Sequence, residues 1–265
     1  EFFVSDPESD VTISEHVNAD QESDDIASEY INADQESDEF SSEDAVEAQD
    51  SEVTETLISA TYDSATGLLS VTGVDFVEKY GSENDIDISK LLITGDHGST
   101  YRLTSRDVQL QSNTQFRVFL NAVDQLNVGG LLNKNGTSSD NGSSYYLTVD
   151  DNWLAGAVAL VDISDASGYE ITVTNVPKAT LSSADYDAAS GVLTVTGTNF
   201  VKKHGSRNDV DVSKLSISVE GGSSYTLTSS DVEVSSGTTF IVSLNSTDQL
   251  NVGGLLNRNG TSSDI

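Results

Sequence analysis

Two short stretches carry the residue types and spacing that could hold a hard cation. Asn84-Asp85-Ile86-Asp87 and Asn208-Asp209-Val210-Asp211 each place an Asn and two carboxylates within four positions. In an extended strand, side chains two apart project to one side, so Asp85 pairs with Asp87 and Asp209 with Asp211. Ile86 and Ile88, or Val210 and Val212, then face the other way. Carboxylate and amide oxygens are the ligands calcium prefers. Asp107 and Asp231 complete each candidate set from a neighbouring loop, with Asp75 or Asn199 and Asp124 or Asp248 as further contributors. The candidate metal ligands are therefore Asn84, Asp85, Asp87 and Asp107, and in parallel Asn208, Asp209, Asp211 and Asp231. The competing reading is an ordinary polar strand face or turn. The glycine-rich nonapeptide of calcium β-rolls is absent.

Other chemistry finds little support. The chain has three His, of which His16 lies in an acidic stretch, while His97 and His204 have Gly221 and Tyr80 as their counterparts in the duplication described below. Neither is set beside a nucleophile and an orienting acid. No phosphate loop, zinc spacing or nucleophile elbow occurs, and no catalytic or cofactor-binding residue is nominated. Asn135-Gly136-Thr137 and Asn259-Gly260-Thr261 fit glycosylation sequons, although Asn-Gly is equally a turn former and the turn is preferred. Tyr101, Tyr145 and Tyr146 are the candidates for a carbohydrate platform, but aromatics make up only 7% of the chain and cores need most of them.

The two candidate sets are related by a duplication. Tyr62-Asp63 returns as Tyr186-Asp187, Val71-Thr72-Gly73 with Phe76 as Val195-Thr196-Gly197 with Phe200, and Leu126–Asn133 as Leu250–Asn257, always 124 residues on. Between Tyr62 and Asp140, 50 of 79 positions are identical to their counterparts, with no slip in register. This is a true internal repeat. The second copy stops at Ile265, where the first continues through Tyr145, Trp153 and Ile171. The chain also lacks Met altogether. A piece of a longer protein is the expectation.

Before Leu57 the chain is different. It has no Lys or Arg until Lys79, and a shorter repeat of 14 residues relates Val17 to Ile31. Few apolar side chains among dense like charge predict an extended, disordered tail, read as a solvated spacer or a weak calcium buffer. An amphipathic helix with Val17 and Ile31 on one stripe is the alternative. The expected organisation is an acidic tail over 1–56, a first copy over 57–178 and a shortened second copy over 179–265.

Composition bounds the setting. A formal net charge of -32, from 44 acidic and 12 basic residues, opposes compaction at low salt and disfavours nucleic acid as a partner. High ionic strength or divalent cations relieve such charge. With 0 Cys there are no disulfides, thiolate metal sites or Cys nucleophiles. No run of about 18 or more apolar residues exists to span a membrane as a helix.

Strand signals dominate each copy. Leu68–Thr72 and Val192–Thr196 are short and rich in β formers, each after an Asp-x-x-x-Gly turn. Further strands are predicted over 91–94, 99–104, 108–111, 115–120, 144–149 and 169–174. Such spacing indicates an all-β sandwich or barrel. Val128, Leu131 and Leu132 stand at helical spacing, which predicts a short helix over one end, with Asn121 or Asp124 as N-cap and Gly136 as its end. Gly129-Gly130 works against that helix. Asp151–Gly156 reads as a further single turn, and Trp153 as a plug of the core or of the junction between copies.

Leu193-Thr194-Val195-Thr196-Gly197-Thr198-Asn199-Phe200, and Leu69–Phe76 before it, resemble the second-strand signature of IPT/TIG-type immunoglobulin-like domains. There Gly-x-x-Phe sets a tight turn beside a core aromatic. With Ala60–Asp63, Asn84–Asp87 and Leu131–Ser139, the chain from 57 to 265 resembles tandem repeats of very large secreted or surface proteins of environmental bacteria. A copy of 124 residues exceeds a plain domain of that type, so the helix must be accommodated. The resemblance implies tandem immunoglobulin-like β-sandwiches, each with a short helix. The expected role is structural and adhesive, in an extracellular or cell-surface bacterial protein, with calcium rigidifying loops or junctions and no enzymatic activity. Its expected partners are neighbouring copies, surface glycans or other cells. The alternative is a glycan- or protein-binding accessory module of a secreted hydrolase.

Overall fold

The computed structural model describes residues 56–81, 84–157, 161–219 and 222–261, all within one compact unit. The acidic tail and its 14-residue repeat lie outside the described residues. The first copy holds β1 (Thr56–Asp63), β2 (Leu68–Val74), β3 (Leu91–Thr94), β4 (Thr100–Arg102), β5 (Leu110–Ser112), β6 (Gln115–Phe119), α1 (Ala122–Leu131), β7 (Tyr146–Val149) and β8 (Asp165–Thr174). The second holds β9 (Thr180–Asp187), β10 (Val192–Thr198), β11 (Ser216–Ser218), β12 (Ser224–Thr226), β13 (Val234–Ser236), β14 (Thr239–Ser243) and α2 (Ser246–Leu255). The fold is all-β apart from the two helices and short 3-10 turns.

The first copy forms one sheet of eight strands in the order β4-β3-β7-β8-β1-β2-β6-β5. The sheet curls until its halves face a shared core. Val71, Phe116 and Val118 come from one half, and Leu91, Ile93, Leu147 and Val149 from the other, in a single buried cluster. β2 and β6 alternate more and less buried residues, as a half-buried sheet requires. β1 and β8 are the parallel pair, with Ala60 opposite Ile171 and Tyr62 opposite Val173. Trp153 belongs to the core rather than to the junction. It meets Phe76 edge-on at 5.5 Å and Phe116 at 6.2 Å, and its indole N–H donates to the Ile163 carbonyl at 3.1 Å.

Local chemistry sets the turns. Asp63 accepts from the Ala65 and Thr66 amides, and Gly67 takes φ +71° to open β2. Gly73 has no side chain because Phe76 folds back over it: a Cβ there would lie 2.3 Å from the Phe76 ring. Asn135 lies in a bend and its amide oxygen accepts from the Val176 amide, while Gly136, at φ +109°, forms an isolated bridge with Val173 rather than the expected turn.

Several element limits differ from the sequence reading, each for a hydrogen-bonding reason. The strand expected over 99–104 ends at Arg102 because the Thr104 amide turns to the Asp124 carboxylate. The one expected over 108–111 becomes Leu110–Ser112 because Val108 pairs its backbone with Ile86 in an isolated bridge. β7 starts at Tyr146 because Ser144 bridges to Ser138. α1 is capped by Asn121 and closes at Leu132, four residues before Gly136.

In the second copy β9, β10, β13 and β14 form a four-stranded sheet, and β11 pairs with β12 in a separate two-stranded one. β7 and β8 join the corresponding strands in the first copy. Among the described residues of the second copy the two sheets are separate, and Leu181 is 62% exposed where Leu57 is 3% exposed.

Candidate functional site

The nominated carboxylates turn to backbone donors. Asp85 is wholly buried, and its two oxygens accept from the Lys79 and Leu110 amides at 3.0 Å each. Asp209 does the same with the Lys203 and Val234 amides at 2.6 and 2.9 Å. Asp87 and Asp211 cap the 3-10 turns Ile88–Lys90 and Val212–Lys214, accepting from the Ser89 and Ser213 amides. Asp107 and Asp231 accept from the Ile88 and Val212 amides across the loop. Asn84 is exposed, whereas Asn208 donates to the His204 carbonyl and keeps a buried side-chain oxygen without a donor among the described residues. The expected strand geometry, with Asp85 and Asp87 projecting together, is not what forms. Asp85 turns inward beside Ile86, and Asp87 begins a turn. Among the described residues, no group of three or more His, Cys, Asp or Glu gathers as a metal set.

A second pair of carboxylates is more tightly built. Asp124, in the first turn of α1, is wholly buried. Its oxygens accept from the Tyr101 hydroxyl at 3.0 Å, the Thr104 amide at 3.0 Å and hydroxyl at 2.7 Å, and the Ser105 amide at 2.7 Å and hydroxyl. The Ser105 hydroxyl accepts in turn from the Asn121 amide, and the Asn121 side chain accepts from the Asp124 amide. Helix start, β4 and the following loop are thus tied through one charge. Asp248 repeats the arrangement with Tyr225, Thr228, Ser229 and Asn245, at distances equal to within 0.2 Å.

Burial pushes the Asp248 carboxyl up, but the Ser229, Thr228 and Tyr225 hydroxyls and the Thr228 amide outweigh it and hold it at about 2. A carboxylate so fully engaged is a poor proton acceptor near neutral pH. It works as a fastener. Burial, with help from Asp124, pushes the Tyr101 phenol up as well.

No family model, curated protein or solved structure matches the chain. Its own two copies are therefore the comparison that informs the site.

A further close fit is the joint between copies. The Lys202 amide donates to the Leu126 carbonyl at 2.8 Å. A Cβ on Gly130 would lie 1.5 Å from the Lys202 carbonyl oxygen, and one on Gly129 would lie 2.7 Å from Val201. Leu126 packs against the second copy's core. Around the linker, the Thr174 carbonyl accepts from the Ser64 amide at 3.0 Å, and the Asn175 side chain donates to Asp63 at 3.1 Å. The glycine pair that counted against a helix is thus explained by what presses on it. In α2 the equivalent Gly253 and Gly254 face open space, and Leu250 is 78% exposed. The sequence offers Asp124 and Asp248 only as further contributors to a cation shell, and Asp124 as an alternative N-cap; their buried hydrogen-bonding role and the glycine joint are not read from it. A Tyr-x-x-Thr-Ser segment repeated 124 residues on, each before an Asn-x-x-Asp, was the available signal.

Proposed function

We infer that the chain is a structural and adhesive repeat module of a large extracellular or cell-surface bacterial protein, in which immunoglobulin-like copies joined in series act by shape. What supports this reading above all is the joint, where Gly129 and Gly130 admit the Val201–Lys203 backbone and the Lys202 amide is bonded to α1. A close, glycine-dependent contact fixes one copy against the next, as a stiff spacer requires. Calcium belongs to the reading as counter-charge to 44 acidic residues.

The chain has 0 Cys, so dyes can be placed on Ala65→Cys and Ala189→Cys, at equivalent exposed turns. Single-molecule energy transfer between them is expected to give one narrow distribution that Gly130→Leu broadens. A broad distribution in the parent chain would count against the spacer. The rival reading, a glycan- or protein-binding accessory module of a secreted hydrolase, is favoured by exposed aromatics: Phe119 is 71% exposed and Tyr146 39% exposed. Saturable binding of the whole chain to a defined glycan, lost in Phe119→Ala, would favour it.

A further inference from the structure

A small cleft lies along the joint, and its two walls come from different copies. Tyr101, Asn127 and Leu131 form the first copy's wall, and Lys202, Lys203 and His204 the second's, around about 170 Å³. Leu131 is buried and the Tyr101 hydroxyl is held by Asp124, so the first wall is fixed. The second is fixed by the Lys202 amide on the Leu126 carbonyl.

Charge on the second wall runs against that of the chain. Lys202-Lys203-His204-Gly205-Ser206-Arg207 holds three of the 12 Lys and Arg in six positions. Its counterpart, Glu78-Lys79-Tyr80-Gly81-Ser82-Glu83, holds two acids and one base. The reversal falls where this loop meets the neighbouring copy. Among the described residues, none of Lys202, Lys203, His204 and Arg207 forms an ion pair, so the fold itself does not use the charge.

One acid shares the cleft. Glu233 accepts from the Asn208 amide at 3.1 Å and, as a carboxylate, has further lone pairs to offer. A ligand that is anionic throughout is repelled by it. A ligand with a negative group for the lysines and hydroxyl donors for Glu233 satisfies both, and its C–H face suits Leu131 and the Tyr101 ring. That is the chemistry of an acidic sugar. A volume below the ~300 Å³ of the smallest drug-sized pockets suits one residue of a glycan.

We propose that the cleft at the joint binds an acidic glycan, with one carboxylated or sulfated sugar residue seated between α1 and the loop over 201–207. Lys202, Lys203 and His204 meet the anionic group through charge-assisted hydrogen bonds, and Glu233 and Asn127 accept from the sugar hydroxyls. The proposal rests on the adhesive reading and names the glycan chemistry it would use. That reading's own test, the dye-pair distribution, can succeed where this one fails.

Dye-labelled oligogalacturonate, which carries carboxylates, and a dextran sulfate oligosaccharide, which carries sulfates, are titrated with the whole chain at physiological salt, where diffuse attraction is screened. One of them is expected to bind saturably at one site per chain, while the unsulfated dextran oligosaccharide does not bind. Lys202→Glu with His204→Tyr installs residues with which the first copy already folds, and is expected to weaken binding by about tenfold or more. Gly130→Leu keeps every basic side chain but parts the two walls, and is expected to weaken binding similarly. Lys178→Gln, at an exposed base outside the cleft, is expected to bind as the parent does. The proposal is overturned if neither acidic oligosaccharide binds, if the neutral one binds as tightly, or if binding survives Lys202→Glu with His204→Tyr. Binding that survives Gly130→Leu reduces the site to a loop patch and overturns it, as does equal binding of a polyglutamate peptide. Binding lost in Phe119→Ala but kept in the loop variant overturns it in favour of the accessory-module reading.

Discussion

Asp124 accepts from five donors inside the first copy, one phenol, two hydroxyls and two amides, the Thr104 amide reaching both its oxygens. Asp124→Ala strands those donors without an acceptor, and the expected loss is about 3 kcal/mol of stability by denaturant unfolding. Asp140→Ala, at an exposed position, is expected to change stability by less than about 0.5 kcal/mol. The Asp248 carboxyl, held at about 2 in the fold, fixes the sign of the acid limb. An unfolded Asp titrates near ~3.9, so between these values the unfolded chain binds more protons. The stability from Asp248 is present above about pH 4 and is lost as pH falls towards 2. At the alkaline end, burial pushes Tyr62, Tyr145 and Tyr169 up to about 12. Their contribution is present below about pH 10 and is lost as pH rises from there towards 12. Unfolding followed across both limbs checks both signs.

At the scale of elements, Trp153 links the segment after β7 to Phe76 and Phe116. Trp153→Ala is expected to cost about 3–5 kcal/mol, read as a lower denaturation midpoint. Gly130→Leu removes a helix-weakening residue yet collides with the Lys202 carbonyl. It is therefore expected to leave helix content intact and to speed tryptic cleavage at Lys178, between the copies. These elements differed in how legible they were. Leu91–Thr94 could be read from its run of β formers, β6 from its alternation, and the Asp63–Gly67 turn from its Asp and Gly. The buried Asp could not, because its partners lie about 20 residues away and surface acid outnumbers it. The expected strand geometry of Asn84–Asp87 fails for the complementary reason: a strand-like spacing is overridden when each carboxylate finds a backbone amide to cap. Gly129-Gly130 read as a helix fault because the backbone that presses on it belongs to the other copy.

At the scale of the molecule, the surplus of acid sets the response to ions. A net charge of -32 predicts that added salt raises the melting midpoint by screening. The calcium reading predicts a further rise with calcium over sodium at matched ionic strength, reversed by chelator; equal midpoints would remove calcium from the account. No helix among the described residues is long and apolar enough to cross a membrane. The central claim is that two equivalent copies, 124 residues apart, are held by one fitted joint. Residue-resolved hydrogen exchange on the whole chain tests it most directly. The amides of Thr104 and Ser105 are expected to be protected alongside those of Thr228 and Ser229, with the Lys202 amide protected in the parent and released in Gly130→Leu. A second copy that exchanges freely at Thr228 and Ser229, or a Lys202 amide that exchanges freely in the parent, would contradict the account.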